Sequence, residues 1–407
     1  MTTLRRIIVG LVAAGFLSAT QTARAEEAKE PSKSIDERVS DLEKDLGLLT
    51  GFGLSGMAYG SYLYNFNDPD SRKNSLRSLD QEDNSMTLDL FQLGITKTGP
   101  AGIAFASKLD FGKTASRIGA DWNGNGKFEG VTGDGGDFEI EEAYLTYTPD
   151  WAHGGSAKFG KFVTLLGAEV IEAPLNMNFS RSFLFGFAIP FTHTGVLFAA
   201  PFSDQFSATI GAVNGWDNVV DNNDGKSVLG NLTWTASPQF SLLFNGIYGP
   251  EKTDTDSGPR GVIDVVSNIT LDPIAISLNG DYGEEGEAAL DGGTAKWYGF
   301  SGIVGAKLTD QIGLPLGTYL RGEVFKDDGG SRTGADQTLW EITFTGKWFA
   351  SEKLTFWVEY RHDESNEDSF AKNGSITTTD PTTGEVTTTP KFQGTQDTIS
   401  VAASYVF

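Results

Sequence analysis

The sequence predicts an all-β fold, a transmembrane antiparallel up-and-down β-barrel of about 16 strands (range 14–18) preceded by a short N-terminal helix. Three observations carry that expectation: an export signal at the N-terminus, apolar and polar residues alternating with a period of two, and loops whose lengths sort by parity along the chain.

The export signal sets the compartment. Arg5 and Arg6 precede an apolar stretch from Ile7 to Leu17, and Ala23-Arg24-Ala25 then supplies a small-x-small cleavage pattern. Residues 1–25 are expected to be removed after export. No other stretch reaches the roughly 20 apolar residues of a spanning helix. In lipid only helices and closed barrels satisfy every backbone N–H and C=O, so a membrane role for this chain means a barrel.

Composition narrows the chemistry. The absence of cysteine excludes disulfides, metal–thiolate sites and thiol nucleophiles. Acidic residues number 54 and basic ones 31; with Arg5, Arg6 and Arg24 removed alongside the signal, 28 basic residues remain and the mature net charge is about −26. That balance argues against nucleic acid as a partner and is compatible with cation enrichment near a pore. Fifty glycines suit tight turns and bends, and 12% aromatic residues suit the girdles at the two membrane interfaces.

Residues 26–50 are read as a periplasmic amphipathic helix. Ile35, Val39, Leu42, Leu46 and Leu49 form a seam of about two heptads, too short to be stable alone. It would rest on or plug the barrel mouth, or form a short coiled coil that helps a homotrimer assemble.

From Phe52 onward the period is two, and sixteen strands are expected between 52–66 and 394–407. Trp340, Ile342, Phe344 and Trp348 fall on one face, with Glu341, Thr343, Thr345 and Lys347 on the other. Phe356, Val358 and Tyr360 alternate with Trp357, Glu359 and Arg361. Short turns lie at Thr98–Ala101, Ala236–Gln239, Asp272-Pro273 and Ala350–Lys353. Long connections lie at 67–84, 114–136, 216–225, 250–260, 285–294 and 365–393. All the long connections share one parity. An up-and-down membrane barrel sorts its loops this way, whereas a Greek-key sandwich has no reason to. The last strand places Ile399, Val401, Ala403, Tyr405 and Phe407 at alternate positions, and the Tyr405…Phe407 ending resembles the signal read by the outer-membrane assembly machinery.

The segment 165–191 sits on the external parity yet carries Phe183, Leu184, Phe185, Phe187, Ile189 and Phe191, a patch too apolar to face water without a partner. Three readings stay open: it folds into the barrel and narrows it near Glu169, Glu172 and Arg181, it forms a subunit interface, or it adds a strand to the wall. If the polar strand faces look inward, Lys108, Asp110, Glu141, Lys161, Asp264, Asp281, Arg321, Glu323, Glu341, Lys347, Glu359 and Arg361 line the lumen. Acids lead bases seven to five there, which predicts modest cation preference.

Two motifs bear on metal binding and catalysis. Asp121, Asn123 and Asn125, with Gly126 following, open like a calcium loop, but Thr132 stands where the bidentate carboxylate belongs, so a plain external turn is the better reading and any calcium site a weak one. Only His153, His193 and His362 could serve as a general base, and none stands beside an evident Ser–Asp arrangement, so no enzyme activity and no resident cofactor are expected.

The central strings resemble a known family. They include Gly160-Lys161-Phe162-Val163-Thr164, Glu169-Val170-Ile171-Glu172-Ala173-Pro174, Ile189-Pro190-Phe191-Thr192-His193-Thr194-Gly195 and Val213-Asn214-Gly215-Trp216-Asp217. Over roughly 110 residues, from Phe138 to Pro250, they are similar to the OmpL-like outer-membrane β-barrel porin family. The resemblance implies a Gram-negative outer-membrane barrel, surrounded by lipid and passed by small polar solutes, with no catalytic motif to carry over.

Overall fold

A computed structural model describes residues 51–121, 136–379 and 386–407. The export signal, the 26–50 helix and the calcium-loop positions Asn123 and Asn125 lie outside the described residues.

The wall is built from β1 (Phe52–Asn65), β2 (Ser85–Thr98), β3 (Ile103–Phe111), β4 (Phe138–Tyr147), β5 (Ser156–Val163), β6 (Thr192–Pro201), β7 (Phe206–Val213), β8 (Ser227–Ser237), β9 (Phe240–Gly249), β10 (Arg260–Leu271), β11 (Ile274–Glu285), β12 (Ala295–Lys307), β13 (Leu316–Asp328), β14 (Gln337–Phe349), β15 (Leu354–Ser365) and β18 (Thr395–Val406). Each pairs antiparallel with its neighbours, and β18 closes the barrel between β15 and β1. Sixteen wall strands with loops of alternating length match the expectation from parity.

The long connection after β15 differs from its expected form. It carries a separate two-stranded hairpin, β16 (Phe370–Thr379) and β17 (Val386–Gln393), outside the closed wall. Its threonine-rich strands are largely exposed, so no apolar face marked them in the sequence.

The alternation resolves into an apolar outside and a polar inside. Ile210, Ile263, Phe300, Phe344, Val358 and Val401 are exposed on the outer face, as lipid requires. Their sequence neighbours Asp264, Ser301, Thr343, Thr345 and Glu359 are buried inside. An aromatic cluster at the short-turn end of β7–β9, with Phe206 stacked on Trp234 (6.0 Å) and Phe240 edge-on to it (5.9 Å), supplies part of an interfacial girdle.

At the closing seam Phe407 exchanges backbone hydrogen bonds with Gly56, 2.9 and 3.1 Å long, and its ring stacks on Tyr405 at 6.2 Å. Both side chains are exposed on the outer face.

Candidate functional site

Residues 164–191 leave the wall after β5 and return at β6, with Thr164 N–H donating to Phe191 C=O (2.9 Å) at the base. Between those ends the chain folds into the lumen. Of the three readings open from sequence, the inward one is observed.

Carboxylates and cations of the wall hold the segment by its backbone. Glu359 accepts the N–H groups of Phe179 (2.6 Å) and Ser180 (2.9 Å). Glu323 accepts those of Phe183 and Leu184, both at 2.6 Å, and so caps the π-turn Leu184–Ala188. Lys347 donates to Asn176 C=O (2.6 Å), Arg361 to Arg181 C=O (2.5 Å) and Trp297 Nε1 to Ala188 C=O (3.1 Å). On β10 and β11, Asp264 takes Gly167 N–H (3.1 Å) and Asn279 takes Ala168 N–H (3.2 Å). Bonds of this kind to a charged partner are each worth about 1.5–3 kcal/mol.

Arg321 sits at the centre of the clamp. It is fully buried and meets Glu341 at 2.6 Å, Glu169 at 2.8 Å and Ser180 C=O at 2.6 Å. Arg181, on the segment itself, donates to the carbonyls of Val170, Ile171 and Phe179 and so fixes the segment's own turn.

The apolar side of the segment is covered as well. Phe183, Leu184, Ala188 and Ile189 form one buried cluster with inward residues of the wall, including Leu229, Ile247, Val262, Trp297 and Phe325. Gly283 makes this possible, because a Cβ there would lie 2.1 Å from the Trp297 ring. The lumen beside these strands is therefore filled in its middle by a packed apolar plug.

A second inward element was not legible in the sequence. The β1–β2 connection reads as a polar external loop, yet Arg77 is buried within it. Arg77 pairs with Asp363 of β15 (2.7 Å) and with Asp80 (2.5 Å). Asn65 Nδ2 bridges Asn74 of this loop and Gln396 of β18, both at 2.9 Å.

All twelve wall residues expected to line the lumen lie on inner faces, and Glu169, Glu172 and Arg181 lie on the inward segment. Fourteen of these fifteen are less than 10% exposed. The exception is Lys108, whose side chain is 30% exposed. Lys108 Nζ lies 3.1 Å from Glu141, 3.1 Å from Glu142 and 2.6 Å from Glu172. Asp110 joins the same cluster through Gln92, which donates to Asp110 at 2.9 Å and Glu141 at 3.2 Å, while Lys161 pairs with Glu139 at 2.7 Å.

Glu142 was not foreseen as a lumen residue. At the β3–β4 register Lys108 faces Glu142 and Leu109 faces Ile140, so Glu141 is the extra residue of a β-bulge. The bulge turns two consecutive glutamates inward, against the phase that a period-two reading assigns. A second bulge, between β1 and β2, does the same for Asp89 and Leu90.

Asp264 and Asp281 stand directly opposite each other on β10 and β11, and both are buried. Asn245 and Asn279 donate to Asp264, whereas neither carboxylate oxygen of Asp281 meets a donor among the described residues. Like charges paired in register oppose folding. Asp281→Asn is therefore expected to raise urea resistance of the folded barrel in detergent, by about 0.5 kcal/mol. A loss of stability in that variant would show that the pair is favourable as it stands.

His193 and His362 hold structural positions. His193 Nδ1 contacts Gly215 C=O at 2.8 Å and Nε2 contacts Thr164 Oγ1 at 3.1 Å, tying the ends of two external connections. His362 lies 2.8 Å from Asp397 and beside Trp340 on the outer face. Asp121 forms a bridge with Asn218, and its C=O accepts Val219 N–H (2.8 Å).

One latch among the long connections is built on buried carboxyl groups. Glu251, just beyond β9, accepts Trp216 N–H (2.8 Å) and Ser227 O–H (2.7 Å). Burial pushes its carboxyl up to about 7 from the ordinary 4.5, against the pull of Arg260. Asp217, which accepts Phe191 and Thr192 N–H groups, is pushed up to about 6 by burial. A carboxyl raised in the fold contributes stability that is complete below its unfolded value and is lost as pH rises through its folded value. Amide exchange in 214–226, corrected for intrinsic rates, is expected to be slower at pH 5 than at pH 8, with Glu251→Gln shrinking the difference. Faster corrected exchange at pH 5 would contradict the assignment.

A closed sixteen-stranded barrel with an apolar exterior, a charged interior and an inward-folded connection defines a porin-type channel of the Gram-negative outer membrane. The chain belongs to the family described as "Putative beta-barrel porin-2, OmpL-like", whose model matches residues 51–407. Among solved structures it is similar to the anion-selective porin from Comamonas acidovorans, with 13% identity, a TM-score of 0.54, and 88% of this chain and 99% of that one covered. It is also similar to OprB of Pseudomonas putida, with 12% identity, a TM-score of 0.55, and 94% and 100% covered. The outer membrane channel DcaP of Acinetobacter baumannii matches at 12% identity and a TM-score of 0.55, with 88% and 97% covered. At such identities the likeness concerns the fold. No curated protein matches the chain.

Proposed function

We propose that the protein is a non-enzymatic porin through which small hydrophilic solutes and ions diffuse passively, with mild cation preference. The observation that carries this reading is the inward segment clamped inside a barrel of sixteen strands, a wall wide enough for an aqueous lumen that the segment then narrows. The acid surplus of the inner wall supports cation preference, as does an external recess of about 500 Å³ lined by Asp221, Asp224, Asp254 and Asp256. We further propose a homotrimer, and recognition of the Tyr405…Phe407 ending by the assembly machinery. Native mass spectrometry tests the trimer, and in vivo assembly of a Phe407→Ala variant tests the ending.

The apolar packing of Phe183–Ile189 favours a second reading, a structural barrel whose lumen is plugged. Planar-bilayer recordings across a salt gradient separate the two. Discrete current steps with a cation-side reversal potential support the porin; clear anion selectivity removes the cation preference.

A further inference from the structure

The charged groups of the lumen are not equally placed with respect to water. On β10–β15 the wall charges are engaged in holding the segment: Glu323 and Glu359 take its N–H groups, Arg361 and Lys347 its carbonyls, and Arg321 its Glu169. All five are less than 10% exposed. The β3–β5 side carries the exception. There Lys108 bridges the β3–β4 bulge and Glu172 of the segment, and it keeps 30% of its side chain open. Next to it on the same inner surface, Tyr144 and Lys158 are half-buried, with Lys158 Nζ 4.2 Å from the Tyr144 ring.

We propose that the water-filled eyelet of the channel passes Lys108, between the β3–β5 wall and the inward segment, and that Glu142 and Glu172 set its charge preference against that lysine. Four carboxyl groups, Asp110, Glu141, Glu142 and Glu172, gather around Lys108 with Lys158 beside them, so acidic groups outnumber basic ones two to one there. A ring of such charge in a narrow aqueous passage concentrates cations and excludes anions. The β-bulge is the device that builds it, since regular pairing would send either Glu141 or Glu142 into lipid. This inference deepens the porin reading and rests on it, but accessibility at Lys108 can be measured without any current.

The chain has no cysteine, so single cysteines report without background. Lys108→Cys and Thr343→Cys are to be treated, in the folded full-length protein, with cationic and anionic methanethiosulfonate reagents, and the mass of the product followed with time. Lys108→Cys is expected to react at least tenfold faster than Thr343→Cys, which is fully buried behind the clamp. In bilayers, anionic modification of Lys108→Cys should raise the cation-to-anion permeability ratio several-fold, and cationic modification should restore it. Glu142→Gln, which leaves Lys108 its two other partners, should lower that ratio about twofold or more and serves if the cysteine variant folds poorly. Equal or reversed labelling rates, or an unchanged ratio in Glu142→Gln, would overturn the eyelet assignment while leaving channel activity intact. Rapid labelling at Lys108→Cys without any current would instead overturn the porin reading.

Discussion

Replacing residues 167–189 by a short Gly-Ser linker is expected to raise single-channel conductance several-fold. The linker keeps β5 and β6 in register, because Val163 already faces Thr192 across the pair and needs only a turn between them. What disappears is the matter inside the lumen: the π-turn with its three buried apolar side chains, Leu184, Phe185 and Ala188, and the backbone held by Glu323 and Glu359. A wall of sixteen strands without a filling leaves an aqueous channel. The variant will also be less stable, since Leu229, Ile247, Val262 and Phe325 lose their apolar cover and meet water. Conductance and solute cut-off in liposome swelling are the readouts. An unchanged conductance in a folded, membrane-inserted variant would mean that the segment is not the constriction.

Arg321→Met is expected to be the most damaging single substitution in the wall, at about 3–5 kcal/mol in urea unfolding from detergent. The guanidinium is fully buried and answers Glu341, Glu169 and Ser180 C=O together. Its removal leaves Glu169 without its ion pair and Glu341 with Arg361 alone, 3.7 Å away, where water does not reach. Deleting one partner of a buried ionic group costs far more than the group itself contributes, so the triple variant Arg321→Met, Glu169→Leu, Glu341→Met should recover much of the loss. If the single and triple variants unfold at the same urea concentration, the cost lies in packing rather than in charge.

The parts of this fold that were legible in the sequence are those with a repeating physical cause. Lipid on one side and water on the other impose a period of two, so Trp340 to Trp348 and Phe356 to Tyr360 could be assigned to faces directly. The external position and apolar composition of 165–191 together showed that the segment needed cover, and the lumen was one of three places to find it. The parts that escaped depend on single register events or on distant partners. The Glu141 bulge changes which face Glu142 occupies without leaving a mark on composition. Arg77 turns inward because Asp363 and Thr398 receive it, far along the chain from the loop that carries it. The use of the inner-face charges depends on partners that no local pattern reveals. Most of these charges grip the segment rather than line open water. Among the fifteen expected lumen residues, surplus charge coincides with exposure at the register-shifted cluster around Lys108.

The decisive measurement is planar-bilayer recording of the purified, folded, full-length protein beside the 167–189 replacement. Small discrete steps are expected from the native chain, with a reversal potential on the cation side, and markedly larger steps from the replacement. Silence from the native barrel, or identical steps from both, would contradict a channel narrowed by its own inward segment.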